Sequence, residues 1–343
     1  MYPAELSFKM PPEWSRHERT FMEWPIGEAV WPGPLEEIHE VFVDIARKIS
    51  AFEPVTMIAR PEAAREAARK CGSHIDVLQI AHDDSWIRDN GPTFVVNPKG
   101  EIAGINWIFN AWGGKYPCDM DNLVAPRILK AFGVHCFNAP FVLEGGSIHV
   151  DGEGTLITTE ECLLNANRNP SLGREEIEFY LKKYLGVEKI IWLKNGLFGD
   201  DTDGHVDNVA CFARPGVILI QTTQNPDDPN YSNSVENLEI LRNAVDARGR
   251  KFEIIEIEQP PESFYEDLRL TLSYVNFYFV NGGIILPVFG GRAEETDIKA
   301  VETFKKLFPD RRIVTINGMP IARGGGNVHC ATQQKPEGKP ASI

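Results

Sequence analysis

Polar and ionisable residues collect in five short motifs, each of which comes directly before a strand-like segment. The motifs are Arg88-Asp89-Asn90-Gly91-Pro92, Glu144-Gly145-Gly146, Gly204-His205-Val206-Asp207-Asn208, Ser273-Tyr274-Val275-Asn276 and Gly324-Gly325-Gly326-Asn327-Val328-His329-Cys330. Buried charges are costly unless they are paired or functional. Because the motifs occupy corresponding positions, they predict one polar site at which two Asp, a Glu, a His and a Cys meet.

Cys330 is the candidate nucleophile, because a thiolate is the best nucleophile among the side chains. The three glycines before it allow the chain to bend sharply, and its neighbours are too polar for a core strand. A buried, inert thiol is the structural alternative. His329 is not predicted to be the base for Cys330, because adjacent residues on a strand point to opposite faces.

His205 and Asp207 are two residues apart, so on a strand they would share a face. A histidine can act as an acid or a base near neutral pH, which makes His205 the candidate proton carrier. His205, Asp207 and Glu144 are also three N/O ligands that could hold a catalytic zinc or iron ion. The spacing alone leaves that alternative open.

The carboxylates of Asp89 and Asp207 suit a planar guanidinium cation, which pairs bidentately with carboxylates. Its carbon is a poor electrophile, so its chemistry needs a strong nucleophile. Tryptophans such as Trp86 and Trp112 near this site could stack on the cation. Neighbouring carboxylates raise a thiol pKa, so we expect Cys330 to be activated only by the bound cation or by a protonated His205.

The same local plan recurs along the chain with a period of about 60–70 residues, in the range of repeat architectures. Two apolar strands flank a glycine-containing turn, which is a hairpin signal. The predicted hairpins are Trp86 to Phe109, Gly146 to Leu164, His205 to Thr222 and Tyr274 to Phe289. Helix-like stretches with 3/4 apolar spacing lie between them. These stretches are Leu35 to Ile49, Pro61 to Lys70, Asp121 to Phe132, Arg174 to Leu185, Ser234 to Ala247 and Glu294 to Phe308.

Roughly five such ββαβ-type units fill the chain, which predicts an α/β fold and, more narrowly, a five-bladed pseudo-symmetric α/β propeller with a ligand at its centre. No linker-like segment interrupts the 343 residues. We therefore predict one catalytic domain over residues 1–343, with a disordered tail at 335–343.

The composition limits the classes of partner and the cellular compartment that we expect for this protein. The net charge of -14 argues against nucleic acid and against anionic membranes, and it suits a cationic small molecule. No segment approaches the ~20 apolar residues of a membrane span, and the N-terminus lacks a signal-peptide pattern. Six scattered cysteines without a CxxC pair are typical of free thiols in a reducing compartment, so we expect a cytoplasmic location. A homo-oligomer is compatible with the sequence.

Four of the motifs resemble those of agmatine deiminases and the bacterial peptidylarginine-deiminase-like proteins grouped with them. The matching segments are Trp86-Ile87-Arg88-Asp89-Asn90-Gly91-Pro92, Leu143-Glu144-Gly145-Gly146-Ser147, Asp203-Gly204-His205-Val206-Asp207-Asn208 and Gly324-Gly325-Gly326-Asn327-Val328-His329-Cys330. The likeness runs from Met10-Pro11-Pro12-Glu13-Trp14 to Gln334. It implies the five-bladed propeller of the guanidine-modifying superfamily.

The resemblance also implies roles for these residues. Cys330 would attack the guanidinium carbon, and His205 would protonate the departing ammonia and then deprotonate the resolving water. Asp89 and Asp207 would hold the guanidinium nitrogens, and Glu144 would orient His205 and touch the substrate. Neither a metal nor an organic cofactor is expected. With agmatine as substrate, the product would be N-carbamoylputrescine.

Two departures from the family pattern bear on the substrate. Asn90 stands where a Thr or Cys is often seen, and the segment Lys115-Tyr116-Pro117-Cys118-Asp119 is shorter than in the best-known members. A shorter loop would leave an open cleft, so peptidyl or free arginine stays an alternative substrate for the same chemistry. The carboxylate of free arginine would need a cation, for which the candidates are Lys115, Arg292 and Arg323. A metal-dependent hydrolase and a non-catalytic propeller that binds a ligand are the alternatives of other classes.

Overall fold

Five of the six β-sheets in the computed structural model, which describes residues 1–27 and 31–343, share one plan. Two antiparallel strands form a pair, and a third strand lies parallel to the second member of that pair. A helix connects the second strand to the third, as a parallel crossover requires. The repeated α/β plan predicted from the sequence is therefore confirmed.

We call these sheets, with their helices, units 1 to 5. The strands of units 1 to 4 are Thr93–Val96, Glu101–Ile108 and His135–Val142; His149–Val150, Thr155–Thr159 and Lys189–Leu193; Ala210–Arg214, Val217–Thr222 and Glu253–Glu258; and Tyr278–Val280, Gly283–Val288 and Arg312–Asn317. Their connecting helices are Val124–Ala131, Arg174–Leu185, Asn230–Asn243 and Glu294–Leu307.

Unit 5 joins segments from opposite ends of the sequence. Its strands are Gln333–Pro336, His17–Glu23, Val55–Ala59 and Ile75–Gln79, and its helices are Leu35–Ser50 and Ala64–Cys71. Gln333–Pro336 runs antiparallel to His17–Glu23. A residue just before Gln333–Pro336 is therefore fixed by a strand from the other end of the chain.

The helices cover the sheets with the apolar faces that the sequence pattern predicts. In Leu35–Ser50, the side chains of Ile38, Phe42, Ile45 and Ile49 are fully buried. Their 3/4 spacing puts them on one side of the helix. Fully burying one such side chain contributes roughly 1.5–3 kcal/mol, so this face holds the helix on its sheet.

Most predicted helices lie within three residues of the observed ones, and one is displaced. The helix predicted at Ser234 to Ala247 is wrong by four residues at each end, because it spans Asn230–Asn243. Asp228 explains the early start, since its Oδ1 accepts a hydrogen bond from the backbone N–H of Asn230 (2.8 Å) and so caps a free donor at the helix N-terminus.

Part of the segment 335–343, which was predicted to be a disordered tail, pairs with strands in the structure. Lys335 and Pro336 belong to the edge strand of unit 5. Lys339–Pro340 pairs in parallel with Glu101 and Ile102 of unit 1. Backbone pairing therefore orders a segment whose composition alone suggested disorder.

The remaining regular structure is short. A small hairpin, Phe264–Tyr265 with Leu268–Arg269, forms the sixth sheet. Short helical turns are Pro3–Leu6, Ile87–Asn90, Ala111–Gly114, Asp121–Leu123, Gly145–Ser147, Glu160–Leu163, Val206–Asn208, Gly291–Ala293 and Met319–Ala322. Within residues 1–27 and 31–343, no helix has both the length and the apolar character needed to span a bilayer.

Candidate active site

The predicted site residues lie in turns that precede the antiparallel pairs. Asp89 lies in the helical turn Ile87–Asn90, and Glu144 precedes the 3-10 turn Gly145–Ser147. His205 and Asp207 lie at the start of the 3-10 turn Val206–Asn208, so the prediction that they share the face of a strand is wrong. Cys330 also lies in a turn, just before Gln333–Pro336. Turns let neighbouring side chains point to one place, which a strand does not.

Gly146 marks the point where three of these side chains meet. A Cβ atom added to Gly146 would lie 2.6 Å from Nδ1 of His205, 2.9 Å from Oδ2 of Asp207 and 3.0 Å from Oδ1 of Asp89. All three distances are shorter than a carbon can tolerate without displacing its neighbours, so only glycine allows this convergence.

Cys330 belongs to the same cluster. Its thiol donates to Oδ2 of Asp207 over 3.4 Å, and Nδ2 of Asn276 donates to its sulfur over 3.1 Å. Oε2 of Glu144 lies 4.0 Å from Nε2 of His205. Cys330, His205, Glu144, Asp89 and Asp207 are all at least 97% buried, so the five residues predicted from the motifs form one buried group.

Several polar atoms of this group make no hydrogen bond to any described residue. They are both ring nitrogens of His205, Oε2 of Glu144 and Oδ1 of Asp207. Buried polar atoms in proteins are normally hydrogen-bonded, and exceptions call for a functional explanation. One histidine ring and two carboxylates are therefore free to bind a polar ligand.

Other contacts fix the carboxylates in place. Asp89 accepts from Nε1 of Trp112 (2.9 Å) and from the backbone N–H of Gly146 (2.8 Å). Trp112 adopts a left-handed backbone (φ 54°), a strained conformation for a bulky residue and one that is common at functional sites. Nε of Arg168 donates to Oε1 of Glu144 over 2.6 Å. These contacts therefore orient both oxygens of Asp89 and one oxygen of Glu144.

Burial gives the two aspartates different protonation states. Burial, and then repulsion from Asp207, raise the pKa of Asp89 to about 8. Burial would also raise the pKa of Asp207, but the hydrogen bond and the charge of His329 outweigh it and lower that pKa. In the ligand-free site, Asp207 is therefore the ionised carboxylate and Asp89 is largely protonated at neutral pH.

The nucleophile and the proton carrier are both neutral in the ligand-free site. Burial, followed by the charges of Asp207 and Asp89, raises the pKa of the Cys330 thiol well above its usual value. Burial lowers the pKa of His205 to about 3. A protonated His205 is thus not present at neutral pH to activate the thiol, which leaves a bound cation as the group that could do so.

A cleft of about 450 Å³ reaches Cys330 from the surface. Trp86 and Trp112 line it, as do the carboxylates of Asp84 and Asp201. Tyr116 closes part of its wall, because its hydroxyl donates to Oδ2 of Asp201 over 2.9 Å. The opening is therefore aromatic and acidic.

The three cations considered for a substrate carboxylate are all engaged elsewhere. Nζ of Lys115 lies 2.9 Å from Oδ1 of Asp203, and Nη1 of Arg323 lies 2.6 Å from Oε2 of Glu37. Arg292 lies in a different groove. None of these three cations lines the cleft.

The residues that could hold a metal ion in the structure differ from those that the sequence pattern grouped. Glu144, Cys162 and His205 offer ligand atoms within 4.8 Å of one another. Asp207, which the sequence pattern grouped with Glu144 and His205, is not part of that set. Glu144 is already held by Arg168.

Sequence reasoning missed four residues of the site. Arg168 and Asn276 contact Glu144 and Cys330 directly, and Glu13 and His329 connect to Asp207. Only an indirect argument could have suggested a residue such as Arg168: a buried glutamate needs a cationic partner. Asn276 lies in one of the five polar motifs, and its position before a strand could have suggested it.

A second group of buried carboxyls borders the site. Burial raises the pKa of Asp84 to about 8 and that of Asp121 to about 7. Burial, and then repulsion from Asp121, raise the pKa of Glu23 well above its usual value. These groups, together with Asp89, are protonated more readily in the folded chain than in the unfolded chain.

The stability of the ligand-free protein should fall as the pH rises from 7 to 9. A group whose pKa is raised on folding stabilises the fold below its unfolded pKa, and this stabilisation is lost as the pH rises through the folded value. The folded values near 7 and 8 put the loss in this window. We expect Tm to fall by about 5 °C.

Differential scanning calorimetry at pH 7, 8 and 9 measures this effect. The Asp84→Asn variant removes one of the titrating groups and should show a shallower fall than the original chain. A Tm that is constant or rises over this range would contradict the raised pKa values.

Comparisons with known proteins agree with the site. The family model for Porphyromonas-type peptidyl-arginine deiminase matches residues 9–336. A Legionella pneumophila protein is 47% identical over 98% of this chain and 97% of its own length. The agmatine deiminase of Pseudomonas aeruginosa is 44% identical over 97% of each chain.

A solved structure described as the agmatine deiminase of Enterococcus faecalis catalysing its reaction is 37% identical and covers 98% of both chains, with a TM-score of 0.94. These matches extend over nearly the whole chain, and the family model spans the positions of every motif that builds the site. The chain belongs to the Porphyromonas-type peptidyl-arginine deiminase family and is an enzyme of that family.

Proposed function

We propose that this protein is an agmatine deiminase, which hydrolyses the guanidinium group of agmatine to a ureido group and releases ammonia. The observation that supports this best is the meeting of Cys330, His205 and three carboxylates in one buried group, which an acidic cleft reaches at Cys330 and Asp89. The relatives named agmatine deiminases, which match over nearly the whole chain, support the same substrate.

Binding begins with the cation. Asp207 and Asp89 each hold guanidinium N–H groups through charge-assisted hydrogen bonds. Asp89, which lines the open cleft, releases its proton to solvent on binding, because a neighbouring cation favours the ionised carboxylate. Oε2 of Glu144 accepts a further N–H and faces His205. The unpartnered oxygens of Asp207 and Glu144 are thereby satisfied.

The bound cation also makes the thiol more acidic, so Cys330 loses its proton and attacks the guanidinium carbon. A carbon–sulfur bond forms and a carbon–nitrogen bond breaks. His205, which is neutral in the ligand-free site, accepts the thiol proton and transfers it to the departing nitrogen, which leaves as ammonia. The product of this half-reaction is an amidino-thioether on Cys330.

Water completes the reaction. His205, neutral again, takes a proton from a water molecule, and the resulting hydroxide attacks the same carbon. The carbon–sulfur bond breaks, Cys330 is regenerated, and the ureido product leaves. One water is consumed and one ammonia is released for each guanidinium, so the proposed steps are balanced without a metal or an organic cofactor.

The lining of the cleft favours agmatine over free arginine. Asp84 and Asp201 line the cleft and suit the terminal ammonium of agmatine, because that cation would favour the ionised form of Asp84, whose pKa burial raises to about 8 in the ligand-free site. Free arginine would bring its carboxylate against Asp201, and Lys115 and Arg323 are already paired. Like charges placed together disfavour binding.

We also propose that units 1 to 5 surround one axis as a five-bladed α/β propeller, within a single catalytic domain of residues 1–343. A cycle of hydrogen bonds between the turns supports this. The five pairs, in unit order, are Gly146 N to Asp89 Oδ1 (2.8 Å), Thr159 Oγ1 to Gly204 O (2.6 Å), Asn276 Nδ2 to Asn208 Oδ1 (3.0 Å), Asn276 Nδ2 to Cys330 Sγ (3.1 Å) and Arg88 N to Cys330 O (3.1 Å). The last pair returns to unit 1.

Ammonia release by the purified protein tests the proposed activity. Agmatine, arginine and a peptide with C-terminal arginine are supplied separately, each with and without a chelator. We expect release from agmatine, at a rate that the chelator does not change. Release only from the peptide would indicate that the substrate is peptidylarginine. Loss of activity in chelator would favour a metal site at Glu144, Cys162 and His205.

A further inference from the structure

A line of buried charged groups leads away from the proposed guanidinium site behind Asp207. Nδ1 of His329 lies 2.8 Å from Oδ2 of Asp207, and Nε2 of the same ring lies 2.7 Å from Oε1 of Glu13. All three side chains are at most 3% exposed. The line therefore runs from the site into the interior through both nitrogens of one histidine.

The two contacts fix the protonation state of His329. A neutral imidazole has one N–H donor and one acceptor nitrogen, whereas the imidazolium ion has two donors. Each ring nitrogen faces a carboxylate oxygen, which only accepts. Only the imidazolium satisfies both contacts, so His329 is a buried cation between two anions.

The surrounding groups agree with this assignment. Burial and nearby Arg88 would lower the pKa of His329, but the charge of Glu13 and the hydrogen bond of Asp207 prevail and raise it. Burial would raise the pKa of Glu13, yet the charges of His329 and Arg88 hold it well below its usual range. His149 and His205 also face this region.

Glu13 is itself anchored. Nη1 of Arg88 lies 3.4 Å from Oε1 of Glu13, and Nε2 of His149 lies 3.6 Å from its Oε2. Arg88 donates in turn to Oε1 of Gln333 over 2.9 Å and to the backbone oxygen of His329 over 3.2 Å. The chain of charges is thus held by side chains on both sides.

We propose that Glu13 and His329 are positioning residues that keep the carboxylate of Asp207 ionised and correctly turned before the substrate arrives, an inference that rests on the proposed function. Asp207 and Asp89 lie close together in a buried site, where two carboxylates disfavour each other's ionisation. The His329 cation stabilises the ionised form of Asp207, so Asp207 rather than Asp89 carries the negative charge. Asp89 lacks such a partner.

The same oxygen of Asp207 also accepts from the thiol of Cys330. Fixing Oδ2 therefore sets the position of the nucleophile relative to the guanidinium carbon. Oδ1, which has no partner among the described residues, is left for the substrate. The His329 imidazolium thus holds Asp207 so that its Oδ2 faces the Cys330 thiol and its Oδ1 is available to the substrate.

The His329→Gln and Glu13→Gln variants test this inference through their pH profiles. Without the imidazolium, burial and Asp89 should raise the pKa of Asp207, so the acid limb of kcat/KM moves to higher pH. At pH 7 we expect kcat/KM to fall about 10- to 100-fold for His329→Gln, chiefly through KM, and less for Glu13→Gln. The loss should shrink at pH 9, where Asp207 is ionised again.

His39→Gln is the matched control. His39 is also buried and pairs with a glutamate, since its Nδ1 lies 4.0 Å from Oε2 of Glu36, and its Nε2 donates to the backbone oxygen of Pro25 over 3.0 Å. Neither contact involves Glu13, Asp207 or His329, so this replacement should leave KM and the pH profile unchanged. A purely structural effect of losing a buried histidine would instead appear in both variants.

Two further measurements keep the inference testable. In an Asp207→Asn background, adding His329→Gln should change kcat/KM little, because the residue acts through Asp207. Independently of activity, NMR of ¹⁵N-histidine-labelled protein should find both ring nitrogens of His329 protonated at pH 7.5.

A neutral His329 ring, or multiplicative losses in the double variant, would overturn the inference. A wild-type chain that releases no ammonia from agmatine, but keeps a protonated His329, would instead refute the proposed function alone.

Discussion

Replacing Cys330 by alanine should abolish ammonia release from agmatine, with kcat lower by roughly four orders of magnitude or more. Loss of a nucleophile removes the covalent route entirely, and what remains is the small contribution of binding and polarisation. The geometry gives the other residues no substitute, because the sulfur is the one thiol that contacts Asp207 and Asn276 among the described residues. Steady-state kinetics with a coupled ammonia assay measure the change.

Cys330→Ala should nevertheless fold and bind agmatine. The thiol makes only weak sulfur hydrogen bonds, and removing it takes away no charge in the ligand-free site. A rise in Tm on addition of agmatine to this variant would establish binding without turnover. Cys71→Ala is the matched control, since Cys71 is similarly buried in the helix Ala64–Cys71, and it should retain full activity. Turnover by Cys330→Ala near the wild-type rate would refute the covalent mechanism.

The second large effect is expected for His205→Gln, with kcat lower by about 10²–10⁴-fold, the usual contribution of a positioned acid or base. Glutamine has no nitrogen that can gain and lose a proton near neutral pH. Two steps of the proposed cycle need such a nitrogen: the departure of ammonia and the activation of water. Presteady-state kinetics can separate the two.

His205→Gln should also accumulate the covalent intermediate if water activation becomes the slower step. Mass spectrometry of acid-quenched protein would then find a mass gain equal to agmatine minus ammonia, located on Cys330. His39→Gln, a change at another buried histidine, whose Nε2 donates to the backbone oxygen of Pro25, should leave kcat unchanged. Normal turnover by His205→Gln would remove this residue from the proposed cycle.

Local patterns predicted the repeated units well, because each unit depends on short-range chemistry. The hairpin turns have glycines at left-handed positions, such as Gly100 (φ 74°) and Gly216 (φ 77°), which glycine adopts without strain. Amphipathic spacing predicted Arg174–Leu185 at its observed ends. The helix Asn230–Asn243 was misplaced because its start depends on a capping aspartate that lies outside the apolar pattern.

The motifs predicted which residues meet, but they did not predict the geometry of that meeting. The structure places Asp89, Glu144, His205, Asp207 and Cys330 together, as the motifs indicated. Their local conformation could not be read from spacing, because short 3-10 and helical turns have no periodic signal. Strand geometry was assumed instead.

That assumption also excluded His329. In a turn, the side chains of His329 and Cys330 both reach Oδ2 of Asp207, which opposite faces of a strand would forbid. Arg168 was missed for a different reason. It lies in a loop without a motif, and only the tertiary fold brings it to Glu144.

The pairing of Gln333–Pro336 with His17–Glu23 has a consequence for how the protein is made. Glu13 and His329, which meet beside this pairing, are 316 positions apart in the sequence. Closing so long a loop is entropically costly and slow compared with the hairpins of single units. During synthesis, a chain that has emerged only as far as unit 4 holds the site's carboxylates and His205 but lacks Cys330. The nucleophile is positioned by contacts between segments near opposite ends of the sequence, so the site becomes chemically competent only when unit 5 has formed.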